Sequence, residues 1–470
     1  MTGFDYTAAV GFESLAAVVP SATLLTSADE LRRHAGDWSS LSIMREIAGA
    51  LEPPAVVLQP VSAEDVALAL RWAGDNHMAV IAAGGRSGVS GGVVTHGGEM
   101  VVDMRSLHRV LDLDETSGVV RVEAGCLGLE LEEWLQARGF TLGHFPQSAA
   151  LSTVGGWIAA RSAGQLSSGY GAVEDFTIAL TVALPDGTLA TSRPVPRTAA
   201  GPQIFELFLG SEGTLGIVTE AWLRVRRAPA TRRTASLTFA TFSAGLEGAR
   251  AMAQARALPD AVRIYDEADN AMAFRALDPR PQGVVGILVA EGDETMVEAT
   301  LNRAVQLSGG SLARQDLATF WWEHRNDAVH TYRQVLAGEL LGPAVAVDTI
   351  EVAALWSRVE ATYQTVREAL SPGAMAVGCH CSHVYETGCA LYFTVLLQGE
   401  ERAAQLEAAW GRAMDATLQS GGTITHHHGV GQLKSRWLGA ELGGFAPYLT
   451  RVQAAFDPAR IMNPRTLRTT

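Results

Sequence analysis

Three glycine-rich segments constrain the fold of this chain more than any other feature. They read AAGGRSGVSGG at 82–92, FPQSAALSTVGGWIAARSAGQLSSGYGAVED at 145–175 and GSEGTLGIVTE at 210–220. The middle segment has neither a helical nor a strand period, and inside a folded domain this is typical of a binding surface rather than a spacer. Glycine also lets backbone N–H groups approach an anion closely. We therefore expect the three segments to wrap one extended ligand that carries a pyrophosphate and a ring system.

Regular elements frame these segments. The stretch VSAEDVALALRWAGDNH predicts a helix with Ser62 as its N-cap, and MAVIAAGG, MVVDMRSL and GVVRVEAG predict strands. GLELEEWLQARG predicts an amphipathic helix that ends at Gly139. IALTVALPDGTLAT predicts a hairpin over Asp186-Gly187, and GIVTEAWLRVRR predicts a last strand. The first segment lacks the Gly-x-Gly-x-x-Gly spacing of dinucleotide-binding doubly wound sheets.

The composition changes near Pro229, where TASLTFATF opens a region of strands alternating with amphipathic helices. The periodicity predicts helices at about 243–257, 294–308, 316–337, 351–370 and 400–419. MAVGCHCSHVYETGCALYFTVLL predicts two strands around the turn Glu386-Thr387-Gly388. We expect an α+β arrangement in which helices cover an antiparallel sheet.

Together, the glycine-rich segments resemble the FAD-binding domain of the vanillyl-alcohol-oxidase-type flavoenzymes, also called type-4 FAD-linked oxidases. The resemblance runs from about Pro54 to Arg227, and STVGGW and GSEGTLG are its specific parts. It implies that the first segment cradles the pyrophosphate of FAD, the second passes the isoalloxazine ring and the third closes the adenine side. Some members tether the flavin through a histidine in the first segment. This segment contains no histidine, so we expect non-covalent FAD.

By this resemblance each segment contributes cofactor-binding residues. The first contributes Gly84, Gly85, Arg86, Ser87, Gly88, Ser90 and Gly91. The second contributes Gln147, Ser148, Ser152, Thr153, Gly155, Gly156, Arg161 and Ser162. The third contributes Glu212, Gly213, Thr214, Gly216 and Ile217. The implied fold is α+β, with an N-terminal extension at 1–53, an FAD-binding domain at 54–228, a substrate-binding α+β cap at 229–420, and a C-terminal segment at 421–470 that returns to the flavin.

Within this family, a run of three histidines near the C-terminus separates two branches. Members that oxidise D-2-hydroxy acids carry Glu-His-Gly-Ile-Gly there. The stretch THHHGVGQLKSRWL, with His426, His427 and His428, instead resembles the His-His-His-Gly-Val-Gly motif of the alkyldihydroxyacetonephosphate synthases. These enzymes exchange the acyl group of acyl-dihydroxyacetone phosphate for a fatty alcohol without net redox.

Two further stretches carry the synthase resemblance. CHCSHVYETGCALYF resembles the segment around the catalytic tyrosine and places Tyr385 there. VRIYDEADNAMAF and WWEHRNDA place Arg263 and Arg325 as substrate-binding arginines. The sequence around Arg325 diverges from the synthases, and the first glycine-rich segment is closer to the oxidising branch.

The synthase chemistry sets requirements for these residues. The resemblance implies that a proton leaves the carbon bearing the ester, fatty acid departs, and flavin N5 holds the dihydroxyacetone phosphate fragment until a fatty alcohol displaces it. A phenol has a pKa near ~10, so Tyr385 as the base needs neighbours that depress its pKa. In an extended strand, His426 and His428 would share one face and His427 would point the other way. The imidazoles would then relay protons or contact phosphate.

Cationic side chains have alternative roles. Arg263 and Arg325 suit a phosphate or carboxylate, because a guanidinium stays charged and binds bidentately. A surface or interdomain salt bridge is the alternative for both. Lys434 suits a substrate phosphate, and a solvated position at a helix start fits it equally well.

A zinc site is the competing interpretation of the His run. Together with the run, the ligand atoms would come from Cys379, His380, Cys381 and His383. Strand alternation splits this set across two faces, and the spacing is not Cys-x2-Cys. We therefore expect no metal.

Charge and composition limit the partners. A formal net charge of −14 argues against nucleic acid and against broad binding to anionic membranes. No apolar run approaches the ~20 residues that span a bilayer. The N-terminal stretch carries Asp5 and Glu13 without a basic start, so we expect no secretory signal. We expect a cytoplasmic protein with a small-molecule or lipid substrate; peripheral membrane contact and a homodimer are left open.

The leading function is an FAD-dependent transferase of ether-lipid synthesis, similar to alkyldihydroxyacetonephosphate synthase. The alternative is an FAD-dependent oxidase or dehydrogenase of a 2-hydroxy acid or another alcohol. A flavin-binding protein without turnover is the third hypothesis, and the polar cluster argues against it.

Overall fold

The computed structural model describes residues 12–469. Within these residues, two small sheets and a two-stranded ribbon precede residue 228, and one seven-stranded sheet follows it. The N-terminal stretch in which we expect no secretory signal lies largely outside the described residues, as does the beginning of the extension at 1–53.

The first sheet is mixed and leads into the first glycine-rich segment. In spatial order its strands are Thr23–Leu25, Val56–Gln59, Met100–Asp103 and Val80–Ala83. The backbone N–H of Val80 donates to the carbonyl of Ile461 over 2.7 Å, and the N–H of Asn463 donates to the carbonyl of Val80 over 2.8 Å. The C-terminal tail therefore extends this sheet at the strand that ends in the first segment.

The second sheet is antiparallel and carries the other two glycine-rich segments. Its strands in spatial order are Val110–Asp114, Val119–Glu123, Ile217–Arg224, Thr177–Ala183 and Leu189–Thr191. The ribbon pairs Arg226–Arg227 with Phe140–Thr141. The α-helices of this half are Glu13–Val18, Ala28–Arg33, Ser40–Ile47, Ala63–Asp75, Gly128–Gln136, Val154–Ala160, Ser167–Tyr170 and Val173–Phe176. Short 3-10 turns lie at Met104–Ser106 and Ile204–Phe208.

The large sheet is antiparallel throughout. Its spatial order is Ser311–Leu312, Thr231–Phe239, Val284–Gly292, Ala261–Tyr265, Ala374–Val384, Gly388–Gln398 and Val345–Leu355. Its helices are Phe242–Gln254, Glu267–Ala273, Glu294–Ser308, Asp316–His324, Ala328–Leu336, Trp356–Leu370 and Arg402–Ser420. The tail adds the helices Leu438–Leu442 and Ala446–Phe456 and the 3-10 turns Ser435–Trp437 and Gly443–Phe445. The largest apolar core lies between this sheet and its helices.

Most elements predicted from periodicity are confirmed. The Ser62 hydroxyl accepts the N–H of Asp65 at the start of Ala63–Asp75, and the hairpin over Asp186-Gly187 joins two paired strands. Gly187 has φ +84°, in the left-handed region that favours glycine in such a turn. The antiparallel sheet covered by helices is also confirmed, and the fold class is α+β.

Two helix predictions are wrong in their boundaries. The helix predicted at 316–337 is broken after His324, where the carbonyl of Arg325 accepts the side-chain amide of Gln147 over 2.9 Å. The helix predicted at 351–370 begins only at Trp356, because residues 345–355 pair along their whole length with Gly388–Gln398. In both cases a partner distant in sequence outweighs the local helical period. Among the described residues, no helix has the length and apolar character to cross a membrane.

Candidate active site

The first two glycine-rich segments are in backbone contact. A Cβ at Gly84 would overlap the Thr153 hydroxyl, and one at Gly85 would overlap the Leu151 carbonyl. Thr153 caps the helix Val154–Ala160, so the N-terminus of this helix lies against the first segment. Only glycine permits this approach, which explains the two glycines at the end of the strand.

The third segment closes against the other two. The N–H of Glu212 donates to the carbonyl of Ala159 over 2.9 Å, which joins it to the helix Val154–Ala160 within the second segment. The side-chain amide of Asn463 donates to the carbonyls of Gly92 over 2.9 Å and of Glu212 over 2.8 Å. Asn463 in the tail therefore ties the first segment to the third, a role the sequence analysis did not find.

The first segment presents an open, cationic surface. Gly88 is exposed with open space where a Cβ would lie. Arg86 has φ +54°, and its Nε is buried without a hydrogen-bond partner among the described residues. Burial and the nearby Arg105 lower the pKa of Arg86. The chain thus offers exposed backbone at Gly88 and an incompletely satisfied guanidinium, a donor set that suits an anion.

Other residues predicted to bind the cofactor have their side chains engaged within the protein. The Ser90 hydroxyl donates to the carbonyls of His428 and Gly429 over 3.0 and 3.2 Å, so it joins the first segment to the His run. The Ser152 hydroxyl accepts Trp157 Nε1–H over 2.7 Å, and the Ser162 hydroxyl bonds His144 Nε2 over 2.8 Å. These three hydroxyls support the shape of the segments.

The remaining predicted residues lie at the junction of the segments. Arg161 is exposed and pairs with Glu174 over 2.9 Å, and the Thr214 hydroxyl donates to the Ser211 carbonyl over 2.8 Å. Ile217 is buried in the core under the first sheet. The other predicted cofactor-binding residues lie within the three glycine-rich segments: Ser87, Gly91, Ser148, Gly155, Gly156, Gly213 and Gly216.

A row of phenols and imidazoles joins the large sheet to the His run. Tyr385 Oη lies 2.6 Å from His426 Nε2, and His426 Nδ1 lies 3.0 Å from His427 Nδ1. Tyr392 Oη lies 3.1 Å from His427 Nδ1. Tyr385 is 38% exposed, whereas Tyr392 is buried, so the row runs from an open surface inward. The Tyr385 hydroxyl is thereby placed against a nitrogen that can accept its proton.

His383 enters this cluster from an irregularity in its strand. The pairing of Ala374–Val384 with its neighbour shifts register between Ser382 and Val384, and His383 has φ +47°. Its Nδ1 lies 2.7 Å from the Ser167 hydroxyl, and its ring centroid lies 4.9 Å from that of His426. A bulge re-aims a side chain in this way. It brings a histidine of the large sheet to a serine of the second glycine-rich segment.

The prediction that His427 points away from its neighbours is wrong. His426 and His427 are in contact, and both approach the ring of His383, at 4.9 and 5.1 Å between centroids. The run is not a strand, because the backbone N–H groups of His426, His427 and His428 all donate to the carboxylate of Glu351. This shared acceptor bends the chain and abolishes the alternation on which the prediction rested.

Hydrogen-bond satisfaction assigns the tautomers of the row. Tyr392 is buried, and its hydroxyl finds its partner at His427 Nδ1, so it donates there and this nitrogen is unprotonated. His427 Nδ1 has one lone pair, which this hydroxyl shares with His426 Nδ1–H, since an unprotonated His426 Nδ1 would set two lone pairs against each other 3.0 Å apart; a neutral His426 then keeps a free lone pair on Nε2. Tyr385 therefore donates its O–H to His426. The opposite tautomers would leave the buried Tyr392 hydroxyl without an acceptor.

Burial keeps the imidazoles neutral. It lowers the pKa of His428 to about 4 and also lowers the pKa values of His383, His426 and His427. The expectation that neighbours depress the pKa of Tyr385 is wrong. Burial, with Glu174 and Asp175 nearby, raises its pKa above the ordinary value of 10.0. Tyr385 is therefore a neutral phenol that needs His426 to take its proton.

Arg263 lies at the inner end of the row. His380 Nδ1 lies 2.7 Å from the Asp269 carboxylate, and Arg263 Nη1 lies 3.3 Å from His380 Nε2. The carboxylate fixes the Nδ1–H tautomer, so the guanidinium donates to Nε2. His380 also stacks on Tyr392, with centroids 4.8 Å apart and planes 2° apart. Arg263 Nε is buried without a partner among the described residues, which leaves the group able to bind an anion.

Arg325 lies on an aromatic platform. Its guanidinium is 3.8 Å from the ring of Trp322, and Arg232 lies 3.9 Å from the same ring. Its side chain also donates to the Trp322 carbonyl. Burial and the nearby Arg232 lower the pKa of Arg325 to about 10. The side-chain amide of Gln147 donates to the Arg325 carbonyl, so this predicted cofactor residue joins the second segment to the helix pair.

Lys434 does not reach the solvent-exposed surface at which the row of phenols and imidazoles begins. Its side chain is wholly buried, and Nζ lies 3.6 Å from Glu351 Oε1 and 5.5 Å above the ring of Trp410. The prediction that it contacts a substrate phosphate is therefore wrong. Burial lowers the pKa of Lys434. Burial would raise the pKa of Glu351, but Lys434 and the neighbouring imidazoles hold it well below its usual value.

The cysteines of the alternative zinc site face away from the cluster. Cys379 and Cys381 are buried in the core between the large sheet and its helices. Among the described residues, the group with metal-ligand geometry is instead His383, His426 and His427, whose nitrogens lie within 4.8 Å of one another. The strand alternation that separates Cys379 and Cys381 from His380 is as expected.

Comparison with known proteins places this geometry in a family. Residues 228–467 match the model of the FAD linked oxidases, C-terminal domain, and residues 54–193 match that of an FAD binding domain. The chain belongs to the FAD-linked oxidases. The FAD binding domain model matches within the half that precedes residue 228, and the C-terminal domain model matches the half that contains the seven-stranded sheet.

Individual relatives of these FAD-linked oxidases fall in both branches. Alkyldihydroxyacetonephosphate synthase of Trypanosoma brucei brucei is 29% identical over 451 residues, covering 88% of this chain and 73% of that protein. The mitochondrial D-lactate dehydrogenase [cytochrome] of Arabidopsis thaliana is 27% identical over 436 residues, covering 89% and 74%. A solved alkyldihydroxyacetonephosphate synthase superposes with a TM-score of 0.79 at 24% identity, covering 94% of this chain and 83% of that one. The fold is thus the two-domain vanillyl-alcohol-oxidase-type FAD-binding fold with an α+β cap.

The residues of this chain fit FAD. The unsatisfied Nε of Arg86 and the open backbone at Gly88 suit its pyrophosphate. The contacts of Gly84 and Gly85 with the second segment shape one continuous surface beside them. The neighbouring phenol and imidazole row begins at Tyr385, whose pKa is influenced by Glu174 and Arg161 of the second segment. The second glycine-rich segment and the row therefore lie together.

Proposed function

We propose that this FAD-linked oxidase family member is a transferase that resembles alkyldihydroxyacetonephosphate synthase. It exchanges the acyl group of acyl-dihydroxyacetone phosphate for a fatty alcohol in ether-lipid synthesis. The observation that carries the proposal is the 2.6 Å contact between Tyr385 Oη and His426 Nε2. This phenol–imidazole pair can remove a proton from carbon at the edge of the flavin-binding segments. The proposal also takes FAD as non-covalently bound.

The proton path follows from the tautomers. His426 accepts the proton of Tyr385 at Nε2 and can pass its own Nδ1 proton to His427 Nδ1. The phenolate formed at Tyr385 then takes the proton from the substrate carbon that bears the ester. FAD, when bound, supplies an electrophilic ring for this chemistry. Burial lowers the pKa of His426 and raises that of Tyr385, so the phenol gives up its proton against this pKa difference and only in concert with removal of the proton from the substrate carbon.

Two arginines supply the anion contacts. Arg263 is aimed by His380 and has a free buried Nε, and Arg325 lies on Trp322 with its pKa lowered by burial. We assign both to the substrate phosphate. Each guanidinium also supports the alternative substrate, because a carboxylate presents the same paired oxygens.

The second candidate function is oxidation of a 2-hydroxy acid. It is favoured by relatives such as the Arabidopsis D-lactate dehydrogenase and by the same arginines. The two functions differ in electron balance. An oxidase moves two electrons from substrate to flavin and bleaches it, whereas the acyl-for-alkyl exchange leaves the flavin oxidised at the end of each turnover.

One paired experiment separates them. FAD-loaded protein is mixed without oxygen, in one sample with D-lactate and in the other with palmitoyl-dihydroxyacetone phosphate plus hexadecanol. We expect hexadecyl-dihydroxyacetone phosphate and free palmitate in the second sample, with no lasting bleaching, and no change in the first. Rapid bleaching by D-lactate without ether product would establish the oxidase instead.

A further inference from the structure

The backbone of the His run is held by a buried carboxylate from the large sheet. Glu351 lies on the strand Val345–Leu355 and is completely buried. It accepts the N–H of His426 over 2.6 Å, of His427 over 3.2 Å and of His428 over 2.8 Å. Three consecutive amides of an irregular loop thus share one side-chain acceptor.

A second carboxylate, from the other half of the chain, holds the next residues. Glu212 of the third glycine-rich segment accepts the N–H of Val430 over 2.6 Å and of Gly431 over 2.8 Å. Five of the six amides in 426–431 are therefore bound by two carboxylates, and Gly429 is the exception. The loop is tied to both halves at once.

Lys434 is the cation between these carboxylates. Its ammonium lies 3.6 Å from Glu351 and also acts electrostatically on Glu212. Its side chain is wholly buried, so removing either charge leaves another without compensation. Burying these charged groups costs desolvation free energy, and apolar residues of similar size would fill the same space without that cost. The geometry that the three side chains impose on the loop is therefore what explains their presence in the interior.

We propose that Glu351, Glu212 and Lys434 are positioning residues that set the His426 and His427 imidazoles between the large sheet and the flavin-binding segments. The inference rests on the proposed function in treating these imidazoles as the proton path. It goes beyond that function by assigning the geometry of the path to three buried side chains. The 2.6 Å contact from Tyr385 spans the sheet and the loop, so it depends on how the loop is held.

Hydrogen exchange of the wild-type, FAD-loaded protein gives the first test. The bound amides of residues 426–428, 430 and 431 should exchange at least about 100-fold more slowly than in a free peptide, despite the absence of regular structure. Gly429 should exchange faster than its neighbours. Exchange of all six amides at the rate of an exposed turn would overturn the proposal.

Conservative variants give the second test. Glu351→Gln should accelerate exchange at 426–428 about tenfold or more, because a neutral carbonyl accepts weaker hydrogen bonds, while 430 and 431 keep their rates. Glu212→Gln should show the reverse. Glu132→Gln is the matched control, since Glu132 is also buried and accepts one backbone N–H, from Leu142 over 3.0 Å. Unchanged exchange at 426–428 in Glu351→Gln would contradict the proposal.

The tautomers of His426 and His427 provide a second readout. They would not change if the carboxylates only stabilised the fold. With isotope-labelled histidine, the wild type should show two fixed neutral tautomers, Nδ1–H for His426 and Nε2–H for His427. Glu351→Gln should replace them by averaged signals, and Glu132→Gln should preserve them. Retention of both fixed tautomers in Glu351→Gln would count against positioning by this carboxylate.

A double variant covers the case in which Glu351→Gln does not fold. Glu351→Gln with Lys434→Met removes both charges together and should fold, yet show the averaged signals. Fixed tautomers in this double variant would overturn the inference. If the double variant does not fold, rapid exchange of the amides at 426–431 in the wild type would overturn it. None of these measurements needs a substrate. Fixed tautomers in a wild type that forms no ether product would leave the positioning intact and refute the proposed function.

Discussion

Tyr385 Oη lies 2.6 Å from Nε2 of His426, and the hydrogen bonds further along the row make this nitrogen the acceptor. Burial and nearby carboxylates raise the pKa of the phenol above its ordinary value. The tyrosine therefore depends on an imidazole partner to act as a base. This dependence separates the roles of the histidines in the run.

Tyr385→Phe removes the proton-accepting oxygen but keeps the ring. We expect turnover to fall by a factor of about 10²–10⁴, the usual contribution of a positioned acid or base. Flavin absorbance of the purified variant should match that of the wild type, because the segments that bind FAD do not use this hydroxyl. Normal turnover with normal FAD content would show that another group is the base.

Substitutions in the His run should have unequal effects. His426→Gln removes the acceptor of the Tyr385 proton, and we expect a loss of turnover about as large as in Tyr385→Phe. His428→Gln is the matched control, because His428 Nδ1 has no hydrogen-bond partner among the described residues and lies 3.9 Å from Glu351. Its turnover should fall by less than about tenfold. A larger loss in His428→Gln than in His426→Gln would contradict the assigned path.

Arg263→Lys should weaken the binding of the anionic substrate. A lysine keeps the charge but cannot donate to His380 and to a phosphate in the same bidentate geometry. We expect KM to rise by about 10–100-fold with a smaller change in kcat, in line with the loss of a charged hydrogen bond. Arg367→Lys, on the outer face of the helix Trp356–Leu370, is the control and should leave KM unchanged. Equal kinetics in both variants would remove Arg263 from the substrate site.

His144 should make the protein less stable in acid. Burial lowers its pKa from 6.5 to about 3, and its ring lies between Trp157 and Phe176 at 4.6 and 5.2 Å. The unfolded chain then binds more protons than the folded one between these two pH values. This residue's contribution to stability is present above about pH 6.5 and is lost as the pH falls towards 3.

The variant His144→Phe tests that sign. It retains an aromatic ring between the same neighbours and removes the titrating group, at the expense of the hydrogen bond to Ser162. The apparent melting temperature of the wild type, minus that of the variant, should decrease as the pH is lowered from about 7 to about 5. A difference that stays constant or increases would show that His144 is not buried in neutral form.

Local sequence patterns were sufficient to locate the large antiparallel sheet and to place the three glycine-rich segments at the ends of strands. Gly84 and Gly85 stand where a Cβ would overlap the second segment, so their identity reflects the close contact between the two segments. In the strands around Glu386-Thr387-Gly388 the register shifts between Ala374 and Ala376, and again between Ser382 and Val384, where His383 lies. Sequence periodicity therefore located the strand but not the bulge that turns His383 into the site.

The organisation of the polar site depends on contacts that no local pattern reveals. Glu351 lies 75 residues before His426 and looks like one more residue of a predicted helix, yet it is a buried strand residue that shapes the His run. In the sequence, Lys434 cannot be distinguished from a solvated lysine. Its burial is explained only by its fully buried partner, Glu351. Asn463 joins segments from two distant parts of the chain. Each assignment required a long-range partner, and the alternation rule failed where such a partner bent the backbone.

The fate of the alcohol oxygen tests the central claim most directly. FAD-loaded protein is incubated with palmitoyl-dihydroxyacetone phosphate and hexadecanol labelled with a heavy oxygen isotope, and the masses of the products are measured by mass spectrometry. Exchange of acyl for alkyl predicts the heavy oxygen in the ether product, with palmitate released unlabelled and the flavin still oxidised. Flavin bleaching with no labelled ether would contradict the account.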